Sequence, residues 1–136
     1  MKSELQKKME KPHYRLNCWK DSFRLSVDLY KVTGNFPNDE KFGIISQMRR
    51  AATSIPANIA EGAARNSTPE FIRFLYISLG SLSELDTFIL LSIELGYLKI
   101  DTGQTFQVEL DTIGKQITGL IKKLKSNINN NLKTEQ

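Results

Sequence analysis

A chain of 136 residues, 40% hydrophobic and 25% charged, holds the material for one packed domain. Cys18 is its single cysteine, which excludes an internal disulfide framework, and no N-terminal stretch has signal-peptide form. No uninterrupted apolar run nears the roughly eighteen residues of a membrane span, so the expectation is a cytoplasmic protein with no membrane partner.

The formal charge of +4 is uneven: residues 1–31 hold eight Lys/Arg against four Asp/Glu, residues 32–100 six against seven, and residues 101–136 five against four. Residues 1–15 lack an apolar stripe and read as a flexible basic tail. A first helix is predicted from about Leu16 to Thr33, burying Leu16, Trp19, Phe23, Val27 and Tyr30 at spacings of three and four. Gly34-Asn35-Phe36-Pro37 stops it. Phe36 to Arg65 then reads as one helix, capped by Asn38 with Asp39 and Glu40 at the positive end of its dipole. Its buried stripe is Ile45, Met48, Ala52, Ile55, Ile59 and Ala63. Pro56 interrupts this pattern at a cost of about 3 kcal/mol, because it lacks an N–H and crowds the carbonyl of Ala52. Asn58 is placed to satisfy a backbone group near that break.

Ser67 or Thr68 followed by Pro69 is a start signal for a third helix, Thr68 to Leu95, with an apolar face of Phe71, Phe74, Leu75, Leu79, Leu82, Leu85, Ile89 and Ile93. Gly96 ends it. Asp101 or Thr102 can cap a fourth helix through Phe106, Leu110, Ile113, Ile117, Leu120, Leu124 and Ile128, after which the asparagine-rich residues 129–136 are expected to fray. Short connections between long amphipathic helices favour antiparallel neighbours. The predicted fold is an all-α, antiparallel up-down-up-down four-helix bundle over residues 16–128. Ile44, Ile72, Ile77, Phe88 and Leu91 fall outside the inward stripes, beside the small residues Gly80, Ser81 and Ser92, and suggest a homo-oligomer.

Gln47, Arg50, Ser54, Asn58, Glu61 form a polar stripe on the second helix. Two readings stand. Facing another helix, the stripe is a buried network in which Arg50 needs a carboxylate such as Glu61, Glu84 or Asp86. Facing solvent, it leaves Arg49, Arg50 and Arg65 able to meet phosphate oxygens. Catalytic patterns are lacking: His13 is the single histidine, Cys18 has no partner, no serine sits in a glycine-flanked elbow, and neither a Glu-x-x-His motif nor a Walker loop occurs. No enzyme, metal site or cofactor is expected.

The segments FP at Phe36-Pro37, FG at Phe42-Gly43, QMRRAA at Gln47 to Ala52, SIPANIAEG at Ser54 to Gly62 and GSLSELDT at Gly80 to Thr87 together resemble the four-helix bundle proteins encoded by intervening sequences in bacterial 23S ribosomal RNA genes. The resemblance runs from about Cys18 to Leu98, including Trp19-Lys20 and Gly96-Tyr97-Leu98. It extends to the related accessory variability determinant of diversity-generating retroelements, a basic pentameric bundle. What it implies is a homopentamer with possible nucleic-acid binding and no established catalytic residues. Lys115, Lys122, Lys123 and Lys125, which no acid interrupts, join Arg49 and Arg65 as candidate RNA or nucleic-acid contacts. The alternative is a scaffold that holds protein partners on an oligomeric ring, with the charge serving solubility.

Overall fold

The computed structural model describes residues 11–135, with side chains through residue 132. Among these residues lie four α-helices: α1 Asn17–Thr33, α2 Ile44–Ala63, α3 Thr68–Glu94 and α4 Ile100–Glu135. Each packs on the next, and α4 returns to α1. Neighbours run in opposite directions. Met48 meets Ser92 while Ser54 meets Ser81; Ala52 meets Ser26 while Arg49 meets Thr33; Asp86 meets Gln107 while Tyr76 meets Lys125. In every pair one residue number rises as the other falls, which is the up-down-up-down bundle read from the spacing.

The helix ends follow local chemistry. Ser67 Oγ accepts the Glu70 N–H at 3.3 Å and caps α3, with Pro69 in the first turn. At the other end Gly96 takes φ +77°, and the N–H groups of Tyr97 and Gly96 donate to the carbonyls of Ser92 and Ile93 at 3.0 Å. That paired closure needs a left-handed residue, which glycine supplies without a Cβ penalty. Between α1 and α2 the expected continuous helix from Phe36 is broken. Phe36 is buried and lies 5.6 Å from the Tyr97 ring, Asn38–Glu40 form a 3-10 turn in which Asn38 caps nothing, and α2 begins only after Gly43. Anchoring Phe36 in the core forces the chain to turn before it can restart. In α4 the start is Ile100, ahead of the expected caps at Asp101 and Thr102.

The two expected tails are also revised. Residues 1–10 lie outside the described residues, but Pro12–Arg15 form a 3-10 turn packed on α1 and α2, where the His13 and Tyr14 rings lie 5.0 and 5.2 Å from Trp19. Aromatic contact holds this segment to the bundle, so the domain begins before residue 16. At the C-terminus α4 continues to Glu135 past residue 129, because asparagine is a weak helix former but no glycine or proline interrupts the run.

The core contains Leu25, Leu29, Met48, Ile55, Ile59, Leu75, Leu85, Ile89, Leu110, Ile113 and Ile117, all essentially inaccessible. It matches the predicted stripes of α2, α3 and α4 more closely than that of α1. The buried face of α1 is Cys18, Ser22, Leu25, Ser26, Leu29 and Thr33, whereas Phe23 and Tyr30 are exposed. The hydroxyls make this possible: Ser22 and Thr33 donate to the carbonyls of Cys18 and Leu29 at 2.6 and 2.8 Å, and the one proton of Ser26 is shared between the carbonyls of Ser22 at 2.9 Å and Ala52 at 3.1 Å, so they enter the core without unmet polar groups. Ile44 and Ile72, read as pointing outward, belong to the core cluster. Ser81 and Ser92 are likewise used within the chain, through Ser54 and Met48.

Pro56 is compatible with α2 because of a neighbour. Ser26 Oγ on α1 lies 3.1 Å from the Ala52 carbonyl, the acceptor that Pro56 deprives of its helical N–H. Asn58 Nδ2 donates to the Ser54 carbonyl at 2.8 Å, as expected. The α3 helix is long and apolar enough by length and composition to cross a membrane, although charged residues interrupt its apolar runs. In the bundle this helix lies between α2 and α4 and bears Glu70, Arg73, Glu84, Asp86 and Glu94.

Candidate nucleic-acid interface

Antiparallel packing sorts the charges along the bundle axis. The end where α1 starts, α2 stops, α3 starts and α4 finishes collects Lys11, Arg15 and Lys20, then Arg65 and Arg73, then Lys122, Lys123 and Lys125, all exposed. Of the acids there, Glu61 and Glu70 are engaged with Arg65 at 3.0 Å and Arg73 at 3.1 Å, while Asp21, next to Lys20, accepts from Gln116 Nε2 at 2.8 Å. The opposite end carries Asp28, Asp39, Glu40, Glu94, Asp101 and Glu109 against Lys31, Lys41, Arg49 and Lys99. Burial, with Asp28 and Asp21 nearby, holds the Glu109 carboxyl above its usual range. Sequence separation hid this polarity; it exists only once the helices are antiparallel.

The six candidate contacts divide. Arg49 is a structural residue: its Nε donates to Thr33 Oγ1 at 2.9 Å, its Nη2 donates to the Tyr30 carbonyl at 3.1 Å, and its guanidinium stacks 4.5 Å from the Tyr30 ring. It caps the C-terminal end of α1, where a cation complements the helix dipole. Arg65 joins the basic end but shares its charge with Glu61 and lies 5.1 Å from the Phe74 ring. The four candidate lysines on α4, Lys115, Lys122, Lys123 and Lys125, are exposed. Lys115 and Lys122 flank a groove of about 470 Å³ between α3 and α4, with Leu79, Leu82, Gly114, Thr118 and Gly119 among its other walls. Lys125 Nζ donates to Tyr76 Oη at 2.9 Å.

The polar stripe of α2 is neither fully buried nor open. It runs along the rim of the α2–α3 packing. Gln47 Oε1 accepts from Arg50 at 2.9 Å, Arg50 reaches Glu84 at 3.4 Å, Ser54 and Ser81 share a 2.9 Å bond, and Asn58 donates to Ser54 Oγ at 2.9 Å. The Arg50 side chain is 72% exposed, so the buried-ion reading is wrong for it, and Glu61 pairs with Arg65 instead of joining the network. Such an exposed pair adds about 0 to 1 kcal/mol. Tighter packing follows at Gly62, where a Cβ would come within 2.7 Å of Phe74 Cβ. Within the motif segments, Ser54, Gly62, Ser81 and Glu84 thus take part in the fit of α2 on α3.

Two other features complete the surface. An apolar groove of about 650 Å³ between α1 and α2 is lined by Trp19, Phe23, Val27, Tyr30, Pro56 and Ala57, among others. This is where the sequence-predicted stripe of α1 ends up. Among the described residues no three His, Cys, Asp or Glu side chains gather as a metal-binding group. Burial pushes the Cys18 thiol up to about 11, which keeps it protonated at neutral pH.

The family model for the 23S rRNA-intervening sequence protein matches residues 14–119. Among solved structures, a protein of unknown function from the S23 ribosomal protein family of Bacteroides thetaiotaomicron VPI-5482 is similar at TM-score 0.70 and 27% identity, covering 77% of this chain and 98% of that one. No curated protein matches. The family match stops at residue 119, so Lys122, Lys123 and Lys125 lie beyond it.

Proposed function

The chain belongs to the 23S rRNA-intervening sequence protein family, and from that premise we propose that it is a non-enzymatic, oligomeric four-helix bundle that binds structured RNA through its basic end. The observation that carries this reading is the segregation of charge: three stretches remote in sequence bring eight cations to one end against Asp21, Glu61 and Glu70, of which Glu61 and Glu70 are paired with Arg65 and Arg73. A phosphate backbone is the partner such a field attracts, and repeating it around an oligomer multiplies a modest excess.

Oligomerisation is supported by two unpartnered apolar surfaces on different parts of the bundle. One is the groove between α1 and α2; the other is the outer edge of α3, where Ile77, Leu91 and Leu95 are exposed. Surfaces that differ from one another associate head to tail, and a closed head-to-tail set is a ring. The second copy's α3 edge is thus the occupant we assign to the groove, with five subunits the number the family resemblance implies.

The test is fluorescence anisotropy with a stem-loop fragment of ribosomal RNA, using the wild type and a triple reversal of Lys122, Lys123 and Lys125 to Glu. The expected result is binding by the wild type and its loss in the triple variant with helical signal and mass unchanged. Absence of binding by an intact oligomer at low salt would instead favour a scaffold for protein partners.

A further inference from the structure

The groove between α3 and α4 differs from the rest of the basic end, because an aromatic side chain stands beside its lysines. Tyr76 is 49% exposed on the edge of α3 that faces α4. Lys125 Nζ holds its hydroxyl at 2.9 Å and lies 5.3 Å from its ring centroid. The phenol is thereby fixed in orientation with much of its surface open. Lys125 keeps two further N–H donors for another acceptor.

From this corner two rails run along the groove. The groove walls hold Leu79 and Leu82 on α3, the first rail, and Lys122, Thr118 and Lys115 on α4, the second. The Tyr76–Lys125 pair stands three residues beyond Leu79 and Lys122 and extends the apolar rail with an aromatic ring and the hydroxylic, cationic rail with an ammonium. Asp111 lies past Lys115 and closes the basic tract with a carboxylate. A paired RNA helix could use only the second rail, since it presents phosphates and 2′-hydroxyls outward and keeps its base faces stacked inside. An unpaired segment uses both, placing bases on the aromatic rail and phosphates on the cationic one.

We propose that the α3–α4 groove is a site for unpaired nucleotides of RNA, with one base stacked on Tyr76 and the adjoining phosphates held by Lys122 and Lys125. The site rests on the RNA-binding reading and names the part of an RNA that it takes. Duplex segments of the same RNA meet the remaining cations of the basic end without using Tyr76.

The test compares two RNAs with the same stem: a hairpin with an unpaired loop and a blunt duplex. The full chain should bind the hairpin more tightly, and Tyr76→Ala should lower hairpin affinity by roughly 5- to 150-fold, the range of base–aromatic stacking, while leaving the duplex unchanged. Tyr76→Phe, which keeps the ring, should retain the preference. Circular dichroism and mass of each variant check that the bundle is intact. Photocrosslinking of wild-type protein to a hairpin carrying 5-bromouridine in its loop gives a readout that needs no variant, and the adduct should map to the segment of α3 containing Tyr76. Equal affinity for hairpin and duplex, unchanged in Tyr76→Ala, overturns the site but leaves RNA binding standing, as does an adduct that maps elsewhere. Failure of both RNAs to bind the folded oligomer overturns the RNA-binding reading and this site with it.

Discussion

Replacing Ser26 by Ala isolates the device that lets α2 contain a proline. The Ser26 hydroxyl lies 3.1 Å from the Ala52 carbonyl and 2.9 Å from that of Ser22, but only Ala52 lacks the peptide donor four residues on. Both residues are buried, so the variant leaves an acceptor without water or partner, a loss of about 1 to 3 kcal/mol. Removing the proline changes the arithmetic. In a Pro56→Ala background residue 56 has an N–H that can return to the Ala52 carbonyl, and the Ser26→Ala change should then cost less than about 0.5 kcal/mol. The double-mutant cycle therefore predicts a coupling of roughly 1 to 2 kcal/mol. Urea denaturation followed by circular dichroism, at one fixed protein concentration because association adds to apparent stability, measures it. Strict additivity would show that the hydroxyl does not serve the break and would refute the reasoning.

Further consequences concern packing, titration and reactivity. Gly62→Ala should destabilise by about 1 to 3 kcal/mol in thermal melts despite alanine's better helix propensity, because its Cβ would meet Phe74 Cβ at 2.7 Å and the Phe71 ring at 3.0 Å. Glu109→Gln should raise the melting temperature at neutral pH. Burial first, then the charges of Asp28 and Asp21, raise the folded-state pKa, so the wild type loses stability as pH rises through that range, and the gap to the variant should close on acidification. Cys18, with its pKa pushed to about 11 chiefly by burial, should react with a maleimide far more slowly in the native protein than in denaturant, as mass spectrometry over time would reveal.

The bundle was legible because α2, α3 and α4 each present one broad apolar stripe. In α1 size misled: the aromatic series Trp19, Phe23 and Tyr30 outweighs the smaller set of Cys18, Ser22 and Leu25, yet the smaller set permits close approach to α2. The hydroxyl spacing Ser22, Ser26 and Thr33 could have flagged the true inward face, since serines that bond back to their own helix are compatible with burial. The polar stripe of α2 was visible as a stripe, but its exposure depends on how far α3 overlaps it, which no periodicity records. Arg49 and Arg65 looked equivalent in sequence; one caps α1 and the other sits at the basic end. The basic end itself is a product of topology.

The salt dependence of RNA affinity tests the central claim most directly. Binding of the stem-loop RNA measured across a salt series should fall linearly on a log-log plot, with slope about −0.7 to −0.9 for each phosphate neutralised and a total corresponding to several phosphates per oligomer. Reversal of Lys122, Lys123 and Lys125 should flatten it. A wild-type affinity that is unmeasurable at low salt, or a slope near zero, would contradict the account.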